Sequence, residues 1–262
     1  MVIRTAPGVA LLYHDIVARE RATESGIVTD GSWRYKLPPE IFRSHLERID
    51  ASSHQVVLAS DTDAERPLLL TFDDGGVSCA ETAAPLLESY GMRGNFFVVT
   101  GRLGDDGYMT EDHVRELAAA GHHVGSHTVT HANLREVSPS KRRAELVRSK
   151  EALESLLGTT CRSISIPGGF VDEDVLTDAF DAGYDYVFIS EPRYLSLPVK
   201  GSPVGRWSVW HDTGADGIER ILDRNLRTRL WVQGRWFTLK SIKRTIGQNR
   251  FERLRRPLVS RR

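Results

Sequence analysis

The chain has 262 residues, of which 40% are apolar and 27% are charged, and its 35 Lys and Arg balance 35 Asp and Glu. A chain of this length and apolar content can bury a full core, which excludes a disordered protein and a disulfide-stapled mini-protein. No apolar run approaches the roughly 20 residues that cross a bilayer, and the first 20 residues lack the cleavage site of a signal peptide. We therefore expect neither a membrane span nor a leader, and we expect Cys79 and Cys161 to be buried, reduced thiols.

The charges are distributed unevenly along the chain. Residues 219–262 contain 14 Lys and Arg against 3 Asp and Glu, whereas the residues before them contain 21 against 32. An acidic body with a basic tail predicts that the tail either packs on the body or meets an anionic partner: a membrane, a phosphate-bearing substrate or nucleic acid.

Short apolar runs alternate with longer amphipathic segments about seven times. The apolar runs predict strands at Val9–Tyr13, Leu68–Phe72, Asn95–Val99, His123–Ser126, Ser163–Ile166, Tyr186–Ser190 and Arg206–Trp210. The amphipathic segments predict helices at Pro39–Asp50, Val77–Tyr90, Glu111–Ala120, Pro139–Leu157, Glu173–Ala182 and Ala215–Leu230. Thr110 and Ser138 are suitable N-caps, and a glycine follows four of the predicted helices.

Strands that alternate with helices at this spacing favour a parallel sheet. About seven such units in one chain favour a β/α barrel over a small open sheet. In β/α barrels the functional side chains lie at the carboxyl ends of the strands, so the residues that follow each predicted strand are the candidates for chemistry.

Two adjacent carboxylates, Asp73 and Asp74, follow the second predicted strand. Placing carboxylates at the exit of an apolar strand costs free energy unless they bind a partner or are solvated. Successive side chains of an extended segment point in opposite directions, so we expect the two to have different partners, one a metal and the other a proton. The simpler alternative is an Asp-Asp-Gly turn.

Two histidines four residues apart, His127 and His131, follow the fourth predicted strand. They would converge on one ion if the residues between them formed a helical turn. Such pairs also occur as exposed or core histidines, and His122 and His123 lie just before them. Two histidines and a carboxylate from separate strand exits supply three ligands and leave a position for water, which favours a catalytic metal site.

Two further strand exits carry candidate groups. Pro167, Gly168 and Gly169 form a turn whose N–H groups are accessible to an oxyanion or a sugar oxygen, although a plain tight turn explains them equally well. His14 follows the first strand and places an imidazole at the same rim. Taken alone, His14 is better explained by a structural role than by a catalytic role.

With these motifs the sequence resembles the polysaccharide deacetylase family, the carbohydrate esterases with a NodB homology domain. The family motif TFDD stands at residues 71–74 and the motif H-[ST]-x-x-H at residues 127–131, in the family's order. The resemblance implies an α/β fold, a distorted seven-stranded (β/α) barrel of NodB type in residues 1–214. The charge pattern, which the family's motifs do not explain, adds a basic, helical extension in residues 215–262. It also implies that Asp74, His127 and His131 hold a divalent metal, usually zinc, and that Asp73 is the general base.

The third family motif departs from its usual form. The family has an arginine, then a proline two residues on, then an aromatic residue and a glycine, whereas this chain reads Ser165-Ile166-Pro167-Gly168-Gly169. The arginine and the aromatic residue are both missing. At this position the chain therefore lacks the arginine that, in the family, forms an ion pair with the base and orients it.

The family's C-terminal histidine, which supplies the general acid, is also missing, because no histidine follows His211. A branch similar to the biofilm poly-N-acetylglucosamine deacetylases takes the acid from a YHD-type segment on the first strand and lacks the same arginine. His14 is therefore the preferred general acid, with Asp15 orienting it, and His211 is the competing candidate. Trp207 or Trp210 would line a sugar subsite.

The resemblance implies metal-dependent hydrolysis of the N-acetyl group of an N-acetylhexosamine in a glycan or glycan precursor, with release of acetate. Asp73 would take a proton from water, the Gly168 amide would stabilise the oxyanion and His14 would protonate the departing amine. The other candidate substrate-binding residues are Pro167, Gly169, Trp210 and His211. A sugar O-acetyl esterase and a catalytically degenerate carbohydrate-binding protein are the alternatives.

Two segments lie outside these motifs. Residues 16–38 predict a long loop that either shapes the substrate site or is a plain surface loop. Residues 220–262 interleave arginines with apolar residues and predict one or two basic amphipathic helices, which either pack on the barrel or lie at an anionic membrane surface. Nucleic-acid binding is the weakest option because no recognised nucleic-acid-binding motif accompanies the basic residues.

We expect a cytoplasmic protein. If the tail binds lipid, we expect the protein at the inner membrane surface, where it would act on an activated or lipid-linked glycan precursor.

Overall fold

The computed structural model describes residues 7–29, 32–61, 63–197 and 199–246, and it describes residues 239–246 as backbone only. Its centre is a sheet of parallel strands: β1 (Val9–Tyr13), β2 (Gln55–Val56), β3 (Pro67–Phe72), β4 (Asn95–Val98), β5 (His123–Ser126), β6 (Ser163–Ser165), β7 (Tyr186–Ile189), β8 (Pro203–Gly205) and β9 (Trp207–Ser208). The hydrogen-bonded order is β8-β7-β6-β5-β4-β3-β1-β9, and β2 pairs with β3.

The sheet closes into a barrel through one short segment. β8 pairs with β7, with Val204 opposite Phe188, and β9 pairs with β1, with Trp207 opposite Leu11. Only Arg206 separates β8 from β9, so the two strands form one chain segment that joins both ends of the hydrogen-bonded order. If β8 and β9 are counted as one staggered strand and the short β2 is left out, the barrel has seven strands. The structure thus confirms the predicted seven-stranded barrel.

Along the chain, α1 to α5 lie between strands, and α6 and α7 follow β9. The helices are α1 (Pro39–Asp50), α2 (Ala84–Ser89), α3 (Glu111–Ala119), α4 (Pro139–Leu157), α5 (Glu173–Asp181), α6 (Ala215–Leu222) and α7 (Leu226–Ile246). The predicted caps are confirmed, since the Thr110 and Ser138 side chains accept hydrogen bonds from the His113 and Lys141 amides. A π-helical turn, Cys79–Ala83, precedes α2, so the helix predicted there is regular only in its second half.

The strand residues are divided between two apolar clusters. The smaller cluster contains Ala10, Leu69, Phe97 and Phe188 and takes no residue from any helix, so it fills the barrel interior. The larger cluster holds alternate strand residues such as Leu11 together with the buried faces of the helices. Both cysteines are buried free thiols, as predicted.

The C-terminal helix predicted at residues 215–230 is in fact two helices. Arg224 has a φ of 58°, which breaks the helix between α6 and α7. α6 packs against α1 through buried Ile218, Ile221 and Leu222. The domain boundary after residue 214 stays a prediction, and Phe251 and Leu254 of the predicted tail lie outside the described residues.

Within the described ranges, no helix combines the length and the apolar composition needed to cross a bilayer.

Candidate active site

Three candidate metal ligands converge at the carboxyl ends of β3 and β5. Asp74 Oδ1 lies 3.3 Å from His127 Nε2 and 3.3 Å from His131 Nε2. One ligand atom from each of the three residues lies within 4.8 Å of the other two. Asp74 and His127 are buried, whereas the side chain of His131 is 33% exposed and forms the open side of the cluster.

The chemistry of these groups fits a divalent cation. Asp74 Oδ1 is buried and has no hydrogen-bond partner among the residues that the structure describes, which is costly for a carboxylate oxygen unless a cation binds it. Two ligands at about 2.0–2.1 Å from a tetrahedral ion are about 3.3 Å apart, which is the separation between Asp74 Oδ1 and the Nε2 atom of each histidine. The second imidazole nitrogen of His127, Nδ1, lies 2.7 Å from the Ser165 carbonyl oxygen, and donation to that carbonyl leaves Nε2 as the lone-pair nitrogen.

The two histidines converge through a loop and not through the helical turn that the sequence predicted. Residues 127–131 are not helical, and Thr128 and His131 have φ values of 67° and 59°. Buried Glu145, on α4, holds this loop by accepting hydrogen bonds from the Val129 amide (2.9 Å), the Thr130 amide (2.8 Å) and the Thr130 hydroxyl (2.7 Å). The sequence signal for this role was weak, because Glu145 sits in an ordinary amphipathic helix.

Asp73 has different partners from Asp74, as predicted. The guanidinium of Arg206 donates to both carboxylate oxygens, at 2.8 Å each, and the Ser165 hydroxyl donates to Asp73 Oδ2 at 2.9 Å. Arg206 also donates to the Ser165 hydroxyl oxygen at 2.7 Å. An arginine therefore does pair with Asp73, and it comes from the β8–β9 junction while a serine occupies the position of the family's usual arginine.

Arg206 lies inside the barrel with no exposed surface. Its guanidinium carbon lies 5.8 Å from the ring centre of Phe97 and 5.7 Å from that of Phe188, so the cation rests on the aromatic residues of the barrel interior. Sequence analysis did not identify Arg206 as a site residue. The available signal was a cation at the start of a strand that is otherwise apolar, which implies a buried partner.

Burial alone would raise the pKa of both carboxyls, but their partners overcome it. Arg206 and, to a smaller extent, His127 and His14 lower the pKa of Asp73 below its ordinary value. The neighbouring imidazoles of His127 and His131 hold the pKa of Asp74 well below its ordinary value. Both groups are therefore carboxylates at neutral pH.

His14 faces this cluster from the end of β1. Its ring is partly exposed, but its Nδ1 atom is buried and finds no hydrogen-bond partner in the described part of the chain. Burial lowers the pKa of His14, and the negative charges of Asp74 and Asp73 oppose that shift. The Tyr35 ring packs on His14 with ring centres 4.5 Å apart, and Trp210 packs on Tyr35 at 4.9 Å. The segment 16–38 therefore contributes a side chain to the rim of the site.

Asp15 binds partners other than His14, contrary to the predicted orienting role. Its buried carboxylate accepts hydrogen bonds from the Ser25 hydroxyl (2.6 Å), the Ser78 hydroxyl (2.9 Å) and the Lys36 ammonium (3.2 Å). A Cβ at Gly76, just after the two aspartates, would collide with the Asp15 carboxylate. Asp15 thus anchors the segment 16–38 against the exit of β3.

The remaining candidates lie around the rim or in the core. The His211 ring contacts Trp33 with ring centres 4.2 Å apart, and its amide donates to the Arg34 carbonyl. Trp210 is half-buried beside Tyr35, whereas Trp207 is 1% exposed and belongs to the core, so only Trp210 can line a sugar subsite.

The turn after β6 places two glycines beside the site. Gly168 and Gly169 have φ values of 62° and 64°, which favour glycine. The Gly169 amide donates to the Ile166 carbonyl, and Pro167 is buried. A Cβ at Gly168 would collide with the Phe170 ring, so an aromatic side chain covers this turn although the motif lacks its usual one.

The sequence model of the polysaccharide deacetylase family matches residues 60–187, which include Asp73, Asp74, His127, His131 and the Pro167–Gly169 turn. Over these residues the chain has the sequence pattern of the polysaccharide deacetylase family. His14 and Arg206 lie outside the matched residues, one before them and one after them.

Among the curated proteins similar to this chain are two from Bacillus. YxkH of Bacillus subtilis, which is named for the same family, is 26% identical over 166 residues, covering 60% of this chain and 60% of YxkH. A peptidoglycan-N-acetylglucosamine deacetylase of Bacillus cereus is 27% identical over 170 residues, covering 60% of this chain and 78% of that protein. The chain thus spans less than two thirds of the length of YxkH.

A solved structure with the same fold is the Streptococcus pyogenes deacetylase PplD in complex with acetate. The TM-score is 0.71 at 19% sequence identity, and the superposition covers 83% of this chain and 99% of PplD. This likeness confirms the fold that was predicted from the sequence.

Proposed function

We propose that this protein hydrolyses the N-acetyl group of an N-acetylhexosamine in a glycan and releases acetate. One observation carries the proposal: a buried carboxylate held as a base, Asp73, lies directly beside a cluster with the composition and spacing of a metal site, Asp74, His127 and His131. The peptidoglycan-N-acetylglucosamine deacetylase among its relatives supports the choice of an N-acetylated sugar.

Zinc is the proposed metal. Two imidazole nitrogens and one carboxylate oxygen form a three-ligand set that is typical of catalytic zinc, with a further position left open. A cation bound there would supply a Lewis acid that polarises the acetyl carbonyl and promotes ionisation of water.

Asp73 is the proposed general base. A carboxylate offers about four lone-pair sites, and Arg206 and Ser165 occupy three of them. One site remains to accept a proton from the attacking water. Because the two partners fix the orientation of the carboxylate, that remaining site has a defined direction.

His14 is the proposed general acid. An amine is a poor leaving group until it is protonated, so the reaction needs a proton donor on the leaving side. The buried Nδ1 atom of His14 has no hydrogen-bond partner within the described ranges. Burial lowers the pKa of His14, and the negative charges of Asp74 and Asp73 oppose that shift. His211 is the competing candidate, because its Nδ1 atom is likewise buried without a hydrogen-bond partner in the described part of the chain. The charges of Asp73 and Asp74 act on His14, which favours His14 as the acid.

The proposed oxyanion donor is the Gly168 amide. The Gly169 amide of the same turn is taken by the Ile166 carbonyl, and Gly168 lies at the exposed end of the turn. Pro167 and Gly169 fix the turn, while Trp210, with His211 beside it, supplies an apolar wall on which a sugar ring can stack.

The experiment is a measurement of acetate release by the purified protein from N-acetylated chitooligosaccharides and, in parallel, from O-acetylated sugars. We expect release from the N-acetylated substrate, loss of release after chelation and recovery on addition of zinc. Faster release from O-acetyl esters would establish the esterase alternative, and sugar binding without any release would establish the degenerate binding protein.

A further inference from the structure

Helix α7 carries an exposed apolar and cationic surface that the proposed catalysis does not use. Its 21 residues include six Lys and Arg and no Asp or Glu. Leu226, Leu230, Trp231 and Phe237 are 62%, 61%, 64% and 53% exposed. These four are among the few large apolar side chains exposed on the described part of the chain; the others are Val28 and Val147.

The exposed apolar residues form a stripe along one side of the helix. Leu226, Leu230 and Phe237 are separated by four and seven residues, so they lie within a narrow arc at 3.6 residues per turn. Two residues attach α7 to the barrel. Val232, on another side of the helix, packs against the core, and Gln233, seven residues after Leu226 and therefore next to the stripe, donates to the Pro192 carbonyl at 3.0 Å. The helix is therefore anchored with its apolar stripe turned outward.

The charge of α7 argues against a second copy of the chain as the occupant of this face. Two α7 helices packed stripe to stripe would bring twelve cationic side chains together with no acidic residue on either helix. Docking of α7 on another face of a second copy would find little apolar counterpart on the described part of the chain, where Val28 and Val147 are the other exposed large apolar residues.

We propose that α7 lies in the plane of an anionic lipid surface, with Leu226, Leu230 and Phe237 inserted among the acyl chains and its arginines at the lipid phosphates. Exposed leucine and aromatic side chains on a helix that carries six arginines and lysines and no acidic residue are the composition expected of a helix that binds an anionic lipid surface. Residues 247–262 add six arginines and one glutamate to the same end of the chain, which strengthens the attraction to anionic lipid.

The proposed surface adjoins the rim of the active site. The Arg235 guanidinium on α7 lies 6.0 Å from the Trp210 ring centre and 5.4 Å from that of Trp231. Trp210 in turn contacts Tyr35, which packs on His14. If the proposed function holds, the docked enzyme acts on N-acetylated glycans that are held at the lipid surface.

The test is co-sedimentation of the full chain with vesicles of phosphatidylcholine alone and with vesicles containing 30% phosphatidylglycerol. We expect binding to the anionic vesicles that weakens as salt is raised. The variant Leu226→Ser/Leu230→Ser/Phe237→Ser is expected to lose at least tenfold in affinity, and Arg227→Gln about fivefold. The control variant Val28→Ser/Val147→Ser, which changes exposed apolar residues elsewhere, is expected to bind like the wild type.

Absence of binding by the intact chain, equal binding to neutral and anionic vesicles, or full binding by the triple variant would overturn the proposal. A dimer that the triple variant converts to a monomer without vesicles would also overturn it, by identifying a second copy as the occupant. Acetate release from a soluble oligosaccharide is expected to be equal in the wild type and the triple variant. A wild type that binds vesicles but releases no acetate would refute the proposed function and leave the lipid proposal standing.

Discussion

The guanidinium of Arg206 holds the carboxylate of Asp73 by two hydrogen bonds of 2.8 Å each. Asp73 follows β3, whereas Arg206 lies at the point where β8 passes into β9 and the barrel closes. In this chain, therefore, the residue that closes the barrel also orients the proposed base.

Arg206→Met is expected to reduce kcat/KM about 100-fold near pH 6 while the protein still binds metal. Arg206 lowers the pKa of Asp73, so its loss raises that pKa and the base becomes protonated at a higher pH. The acidic limb of the pH–activity profile should therefore move to higher pH. Arg206→Lys keeps the charge but loses the bidentate contact and should fall between the wild type and Arg206→Met. An unchanged profile in Arg206→Met would refute the role.

A swap of the two positions supplies the complementary test. Ser165 and Arg206 both contact the Asp73 carboxylate. Ser165→Arg/Arg206→Ser places the arginine where the family usually has it, and we expect at least a tenfold recovery of kcat over Arg206→Ser. No recovery in a folded double variant would show that the arginine must stand at the β8–β9 junction and cannot be replaced by one at position 165.

Glu145→Ala is expected to weaken zinc binding about 10–100-fold, measured by competition with a chelator. The Glu145 carboxylate holds the Val129 and Thr130 amides, and its loss frees the loop that positions His131. Glu151→Ala, an exposed change on the same helix, is the control and should bind zinc like the wild type. Equal affinities for the two variants would contradict this positioning role.

His14→Asn is expected to lower kcat about 10²–10⁴-fold without loss of metal, because the leaving amine then lacks its proton donor. An acid works only below its pKa, so activity should fall as pH rises through the pKa of His14, and His14→Asn should lack that fall. His211→Asn is expected to change kcat less than tenfold. The reverse ranking of the two variants would assign the acid role to His211.

The stability of the protein should fall in mildly acidic solution. Burial lowers the pKa of His45 and of His123 to about 4 each. Between pH 6.5 and 4 the unfolded chain binds protons at these sites and the folded chain does not, so the free energy of unfolding decreases as pH falls, by up to about 3 kcal/mol per histidine. In urea titrations from pH 7 to 4.5, His45→Gln should lose less stability over this interval than the wild type. A parallel loss in both proteins would contradict the assignment.

The sequence could predict the parts of the site that are local in the chain. The aspartate pair and the histidine pair each lie within five residues at a strand exit, and alternating strands and helices bring those exits to one end of a barrel. Asp73 and Asp74 could be separated into two roles because neighbouring side chains on a strand exit point apart.

The sequence could not predict contacts that depend on tertiary closure. Arg206 reaches Asp73 across 133 residues, and no local pattern links the two positions. The shape of the 127–131 loop depends on Glu145, which belongs to the next helix. Asp15 stands beside His14 in sequence, yet its carboxylate binds Lys36, because adjacent residues at a strand end face opposite ways.

The most direct test of the account is a paired measurement of bound zinc and acetate release in Asp73→Asn. Asparagine keeps the size of the side chain but cannot take a proton from water, and Asp73 is not among the three proposed metal ligands. The account predicts one zinc per chain, as in the wild type, and no acetate released from an N-acetylated chitooligosaccharide. Acetate release at the wild-type rate by zinc-loaded Asp73→Asn would contradict it.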